Sequence, residues 1–326
     1  MLDIPNASTA STVFISGGAG FIGSHLAQCL LKRHTLKKLV IYDNLTSGTD
    51  DHLATFASDP RVHFVKADLK DKDAVIKAMV GVEVVFHLAA NPDIAKAVTQ
   101  PDIDFWEGTY LAQNVLEAIR INKVGRLLYT SGSGVYGEDA SVSFKENYGP
   151  CIPISTYGAS KLACEALISA YCHMFGLTAR AFRFANVVGP RQTHGVGYDF
   201  VRRLTTDPTQ LRILGDGSQS KSYIHVEDIL NAVLLADVQC KIPYDIYNVA
   251  TGDYITVLQI ADIAKQICSA PQAKYNFTGG DRGWKGDVPV VRFDSSKIES
   301  LGWKCTRNSA LAIKDSMTSM KLELKS

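Results

Sequence analysis

The chain predicts a doubly wound α/β fold, a parallel sheet with helices on both faces, joined to a smaller second lobe. Three observations carry that prediction. A glycine-rich turn separates an apolar run from a helical pattern over residues 12–32. Short apolar runs and helical stretches then alternate to about residue 185. Beyond residue 186 the rhythm breaks as glycine, proline and polar residues thicken.

Thr12-Val13-Phe14-Ile15 is short, apolar and β-branched, as a buried strand should be. Ser16 to Gly23 follow, and Ser24 to Lys32 place apolar residues at helical spacing. Strand, glycine turn and helix form the setting in which a dinucleotide pyrophosphate is held. Gly17 permits the tight turn, Gly20 the approach of backbone to phosphate, and Gly23 the packing of helix on strand. The helix N-terminus offers free N–H groups to the anion. A second apolar run, Leu39-Val40-Ile41-Tyr42, ends at Asp43, twenty residues past Gly23. A carboxylate there accepts hydrogen bonds from a ribose 2′-hydroxyl and repels a 2′-phosphate, so the expected cofactor is NAD rather than NADP. The competing reading is a capping Asp in the turn before Asn44.

Farther along, Val62 to Val65 lead to Asp68-Leu69, and Val84 to His87 lead to Leu88-Ala89-Ala90. Both are expected strand ends on the edge where adenine and the nicotinamide ribose lie in a doubly wound sheet. Helices are expected over 72–80, 102–122 and 157–175, and strands over Arg126–Thr130 and Thr178–Arg183. The NAD-binding domain is therefore placed at 1–185, with 223–250 returning to it, and the smaller lobe at 186–222 and 251–326.

Apolar residues make up 46% of the 326, enough for a real core. A net charge of +1 offers no electrostatic case for nucleic acid or an anionic membrane as partner. Any phosphate recognition must be local. Residues 1–11 lack the basic flank and apolar core of a signal peptide, and no run approaches the ~18 apolar residues a membrane span needs. Seven scattered cysteines without a Cys-x-x-Cys fit reduced thiols in a cytoplasmic compartment.

The chemistry centres on Tyr157-Gly158-Ala159-Ser160-Lys161. Positions i and i+4 of a helix share a face, so the phenol and the ammonium enter one pocket. A free tyrosine ionises near ~10 and is a poor base at neutral pH. A neighbouring ammonium and an oxidised nicotinamide ring both favour the phenolate. The bland reading of Tyr-x-x-x-Lys is an exposed helix face. Its place 134 residues after the glycine turn, beyond several βα units, argues for the chemical one.

These residues together resemble the extended short-chain dehydrogenase/reductases, and within them the UDP-glucose 4-epimerase group of nucleotide-sugar enzymes. The resemblance runs from the glycine loop to Leu301-Gly302-Trp303. It rests on Gly17 to Gly23, Asp43-Asn44, Asp68-Leu69, His87-Leu88-Ala89-Ala90, Val135-Tyr136-Gly137, Tyr157 with Lys161, and Asn186-Val187-Val188-Gly189-Pro190-Arg191. Gly215-Asp216-Gly217 and Lys285-Gly286-Asp287 extend it through the small lobe.

That likeness implies a Rossmann-type sheet with a smaller α/β substrate-binding lobe. It implies that the glycine loop (Gly17, Gly20, Phe21, Ile22, Gly23) holds NAD together with Asp43, Asn44, Ser47 and Gly48. Asp68, Leu69, Leu88, Ala89 and Ala90 would join them at the strand ends, as would Ser131, Tyr157, Lys161 and Phe184. Tyr157 would take the proton from the sugar 4-hydroxyl while the C4 hydride passes to NAD. The 4-keto sugar would turn about its phosphate linkage and receive the hydride on its other face. Lys161 would hydrogen-bond the nicotinamide ribose and hold Tyr157 ionised, with Asn186 near the diphosphate and Asp287 near the ribose of the nucleotide.

Several positions depart from the family pattern. The family carries Ser or Thr four residues before the Tyr of Val-Tyr-Gly, where its hydroxyl shares the sugar's proton; here that position is Gly132. Flanking glycines would let Ser133 swing into the missing hydroxyl's place. Alternatively, Ser131 and Ser133 satisfy strand-end backbone groups and Tyr157 works alone. No carboxylic acid follows, as dehydratases and decarboxylases of the group require, so epimerisation is favoured. Asp104-Phe105 stands where relatives often carry paired Asn. Trp284 replaces the usual Arg before Asp287, leaving Arg282 as the expected diphosphate clamp with Trp284 packed beside it. Lys221 stands where relatives often have Arg, and Lys285 reads as a solvated cation. Val291, four residues past Asp287, is smaller than the Tyr of some epimerases and leaves room for an N-acetyl group.

Residues 94–120 and 157–175 are apolar on more than one side. By analogy they would form a four-helix homodimer; burial within one subunit explains the same stripe. The expected function is thus NAD-dependent inversion of C4 in a nucleotide hexose. Two others stay open: a sibling enzyme (an NDP-sugar reductase or uronic-sugar epimerase), and a non-catalytic NAD-binding sensor or scaffold, which Gly132 and Phe105 keep in view.

Overall fold

The computed structural model describes residues 10–324; the leader-free reading of the N-terminus lies outside them as far as residue 9. In chain order the first elements are β1 (Thr12–Ser16), α1 (Phe21–Leu30), β2 (Lys38–Asp43), β3 (Val62–Lys66), α2 (Lys72–Ala78), β4 (Val84–His87), α3 (Tyr110–Asn122), β5 (Arg126–Gly132), α4 (Thr156–Phe175) and β6 (Thr178–Phe184). There follow β7 (Asn186–Val188), α5 (Val196–Thr206), β8 (Gln210–Ile213), β9 (Ser220–Lys221), β10 (Tyr223–His225), α6 (Val226–Gln239) and β11 (Tyr244–Val249). The chain ends with β12 (Ile255–Thr256), α7 (Val257–Cys268), β13 (Lys274–Phe277), α8 (Ser296–Glu299) and α9 (Ser309–Glu323).

Seven strands form one parallel sheet in the order β11-β6-β5-β4-β1-β2-β3. The chain therefore winds outward from β1 in both directions, which makes the β1/β4 neighbourhood the point where strand order reverses. β1 and β4 are buried along nearly their whole length, as strands covered on both faces must be. At the edge, β3 instead exposes His63, Phe64 and Lys66, and charged groups on an edge discourage pairing with another chain. Register aligns Ser16 with Tyr42 on one side and with His87 on the other, and His87 with Tyr129. The carboxyl ends of β1, β2, β4 and β5 thus share one edge.

The chain divides into two compact units. The first comprises the chain to Val135, Thr156–Arg183 and Leu230–Tyr247. Its core joins Phe14, Val40 and Val85 of the sheet to Val115, Ile119 and Ile168 of α3 and α4. At ~25 cal/mol per Å² of apolar surface, full burial of one such side chain is worth roughly 1.5–3 kcal/mol. The second comprises Tyr136–Ser155, Phe184–Ile229 and the chain from Asn248 on. Its core gathers Phe200, Leu204, Leu211, Ile260, Ile313 and Met317 from α5, β8, α7 and α9. Residues 136–155 join it through Tyr136, which stacks on Phe144 at 4.6 Å and meets Tyr148 and Phe293 edge-on.

Two elements differ from their expected form. The helix begins at Phe21 rather than Ser24, because the end of the glycine turn is already helical. The stretch expected as one helix over 102–122 contains a π turn at Phe105–Thr109 before α3. Gly108 in that turn lies so close to α4 that a Cβ there would meet Ser160 Oγ at 2.3 Å. Hydrophobic spacing does not register such an inserted residue. Among the described residues no helix is long and apolar enough to cross a membrane.

Candidate active site

The glycine turn sits at the carboxyl end of β1. Gly17 has φ +69°, and a Cβ there would lie 2.9 Å from the Ala89 nitrogen, so this position needs glycine for both conformation and space. Gly23 is more constrained still: its Cβ would come within 2.2 Å of the Gly17 carbonyl oxygen. Gly20 caps α1 without a side-chain hydrogen bond, and no acidic residue enters the first turn. The first-turn N–H groups and the positive end of the helix are left to an anion.

Asp43 at the end of β2 is 8% exposed. Its carboxylate accepts the Ala19 N–H at 3.0 Å and the Leu45 N–H at 2.8 Å. Burial raises its pKa; the N–H groups of Leu45 and Ala19, and the nearby His52, oppose that shift. Each oxygen keeps a lone pair for a ribose hydroxyl. The turn-capping bonds to Ala19 and Leu45 therefore leave room for the ribose contact that the sequence suggests. Gly48 closes over the loop, with its would-be Cβ 2.8 Å from the Ala19 carbonyl carbon, and Ser47 beside it is exposed. Asn44 donates to the Asp68 carboxylate at 3.2 Å, and Asp68 also accepts the Lys70 N–H. Leu69 is buried, whereas Phe21, Ile22, Leu88, Ala89 and Ala90 are half-buried along the edge. An uncapped helix N-terminus, glycine-only contacts and a buried carboxylate at the neighbouring strand end fit NAD.

Tyr157 and Lys161 occupy the first two turns of α4. The Lys161 ammonium lies 5.5 Å from the Tyr157 ring centre and 5.0 Å from that of Tyr129. It donates to the Thr130 carbonyl of β5 at 2.7 Å, which pins it to the carboxyl edge of the sheet. Sequence reasoning passed over His87 as a group in its own right. Its ring is 1% exposed, shares a 2.7 Å hydrogen bond with Ser16 Oγ, and has its pKa pushed down to about 3 by burial and then by Lys161. It stays neutral at physiological pH and leaves Lys161 as the cation beside the phenol.

The two serines flanking Gly132 have different fates. Ser131 donates to Glu165 Oε1 at 2.6 Å, inside a buried pair between Glu165 and Arg183. Ser133 opens a short 3-10 turn, and among the described residues none hydrogen-bonds its hydroxyl. A Cβ on Gly132 would meet nothing within 4 Å.

In the second unit Lys221 and Asp287 are brought together at 2.5 Å, and Asp287 also accepts the Gly283 N–H. Arg282 donates to the Asp287 carbonyl at 2.7 Å and grips Glu138 through both carboxylate oxygens, at 2.8 and 2.9 Å. Trp284 is half-buried, Lys285 is exposed, and Phe184 and Val291 are buried. Asn186 is exposed on β7 and its amide reaches the Ser222 carbonyl at 3.4 Å. Arg292, absent from the expected set, stacks 3.9 Å over Tyr254 and donates to Ser220, next to Lys221. Arg292 and Tyr254 are far apart in sequence, so no local pattern announces the pair.

A family model described as "NAD dependent epimerase/dehydratase family" matches residues 13–250. A putative UDP-glucose 4-epimerase of Methanocaldococcus jannaschii is 33% identical over 299 residues, covering 90% of this chain and 92% of the relative. The crystal structure of a UDP-galactose 4-epimerase, 36% identical, superposes with a TM-score of 0.83 over 96% of this chain and 99% of its own. A UDP-glucuronic acid 4-epimerase of Bacillus cereus, solved with UDP-glucuronic acid and NAD, is 26% identical with a TM-score of 0.86, covering 96% and 99%. The strand order, the glycine turn and these likenesses agree: the chain belongs to the NAD-dependent epimerase/dehydratase family.

Proposed function

We propose that this protein inverts C4 of a nucleotide hexose, a UDP-hexose first among them, through a transient 4-keto sugar with NAD as its cofactor. The observation that carries the reading is the pairing of Tyr157 with Lys161, whose ammonium is pinned at the same sheet edge as the glycine turn. Bound NAD supplies a hydride acceptor and donor. The ammonium stabilises negative charge on the phenol oxygen, which accepts the proton of the 4-hydroxyl and returns it after the sugar has turned. A neutral His87 does not compete for that proton. Asn186, Lys221, Arg282, Asp287 and Val291 would hold the nucleotide sugar in the second unit, with Arg282 leaving Glu138 for the diphosphate. Supporting a roomy sugar site, Val291 is a small side chain.

The test is incubation with UDP-galactose and no added cofactor, beside acetamido, uronic and GDP-, CDP- and dTDP-sugars. Interconversion without net change in NADH supports epimerisation. Turnover that appears only when NADH is added, and consumes it stoichiometrically, points to a reductase, and silence across the panel to a non-catalytic role. The exposed Val98, Phe105, Trp106, Met174 and Phe175 support a homodimer built on the 94–120 and 157–175 segments, and the cysteine pattern a cytoplasmic setting.

Two outcomes follow for the loop and the serines. Gly23→Ala should reduce copurifying NAD at least tenfold, measured after denaturation, because its methyl displaces the Gly17 carbonyl; undiminished NAD would contradict the assignment. Ser133→Ala should lower kcat about tenfold with NAD retained. The open space at Gly132 lets the double variant Gly132→Ser/Ser133→Ala recover most of that loss. Full activity of Ser133→Ala would mean that Tyr157 works alone.

A further inference from the structure

The segment before α3 grips α4 at two points one helical turn apart. Asp104, 2% exposed, accepts Thr156 Oγ1 at 2.6 Å and Asn91 Nδ2 at 2.8 Å. Thr109 Oγ1 and Ser160 Oγ share a hydrogen bond at 2.9 Å. Thr156 and Ser160 immediately precede Tyr157 and Lys161. Both grips therefore lie on one stripe of α4, about 100° around the axis from the stripe that carries the phenol and the ammonium. The π turn at Phe105–Thr109 sets the spacing between Asp104 and Thr109, and Gly108 lets it approach Ser160. Asn91 is itself held, since its amide donates to the Asp93 carbonyl and its oxygen accepts the Asp93 N–H.

We infer that Asp104 and Thr109 are positioning residues that fix the rotation of the first turns of α4 and thereby aim Tyr157 and Lys161. This inference rests on the reading of Tyr157 as the proton acceptor. A side-chain end stands roughly 6 Å from the helix axis, so a rotation of about 10° moves it by about 1 Å. Displacements of ~1 Å in a reacting group can cost about a hundredfold in rate. Asp104 and Thr109 act through Thr156 and Ser160.

Thr156→Val keeps the shape and removes the hydroxyl, Thr156→Ser keeps the hydroxyl, and Tyr157→Phe serves as the control. With UDP-galactose, or the sugar nucleotide turned over fastest, Thr156→Val should lose tenfold or more in kcat. Its KM should stay within about twofold and its bound NAD should be retained, while Thr156→Ser recovers most of the rate. Amide hydrogen exchange should accelerate in the first turns of α4 in Thr156→Val but not in Thr156→Ser. Unchanged exchange, unchanged kcat, or a loss that falls on KM or on bound NAD overturns the inference. An inactive Tyr157→Phe beside an unaffected Thr156→Val removes the clamp alone; a fully active Tyr157→Phe removes the proton-acceptor reading and the clamp with it.

Discussion

Tyr157→Phe should lower kcat by about 10³-fold, near ~4 kcal/mol of transition-state stabilisation, while the protein keeps its NAD and its fold. The substitution removes one oxygen and leaves the ring. Lys161 does not depend on that oxygen for its place, because the Thr130 carbonyl and the Tyr129 ring hold its ammonium. Cofactor content, KM and melting temperature should therefore stay close to those of the parent, and the loss should fall on kcat. Neither His87 nor Tyr129, the ionisable rings beside Lys161, is poised to substitute. His87 is buried with its pKa near 3 and its Nδ1 engaged by Ser16, and burial drives the Tyr129 phenol well above the ordinary tyrosine range. The measurement is steady-state epimerisation of the substrate found active, with NAD quantified after denaturation. Retention of more than a tenth of the parent kcat would show that another group accepts the proton, and an equal loss of NAD would make Tyr157 a cofactor ligand first.

The sheet was legible because its inner strands are buried on both faces and read as unbroken apolar runs, as in Val84 to His87. The glycine turn was legible because the close approaches at Gly17 and Gly23 tolerate no Cβ, and Tyr157 with Lys161 because helical spacing puts them on one face. What stayed hidden is long-range and polar. The Asp104 carboxylate collects partners from positions 91 and 156, and nothing local in Asp104-Phe105 announces either. The Arg282–Glu138 pair joins residues 144 apart. Residues 136–155 have no period of their own; an aromatic stack decides their neighbours. Local periodicity records which face is dry. It does not record which polar group waits there.

Glu165 illustrates that limit and carries the largest expected effect on stability. In sequence it is one more polar position of a helix. In the fold its carboxylate is 3% exposed and takes Arg183 Nε at 3.0 Å, an Arg183 terminal nitrogen at 2.6 Å and the Ser131 hydroxyl at 2.6 Å. Glu165→Ala would leave a guanidinium buried without its counter-charge, which costs about 3–5 kcal/mol. Melting temperature should fall on the order of 5–10 °C. Exchanging both partners for apolar residues, as in Glu165→Leu/Arg183→Met, removes the uncompensated charge, so the double variant should be more stable than Glu165→Ala. Denaturant unfolding of the three proteins decides the matter, and a double variant no better than Glu165→Ala would mean that packing, rather than the stranded charge, sets the loss. The pair also ties α4 to the ends of β5 and β6, one turn beyond Lys161. If it serves only to hold that helix down, the double variant should regain kcat along with stability. If the Ser131 bond to Glu165 also orients the Gly132-Ser133 turn, stability should return without the rate.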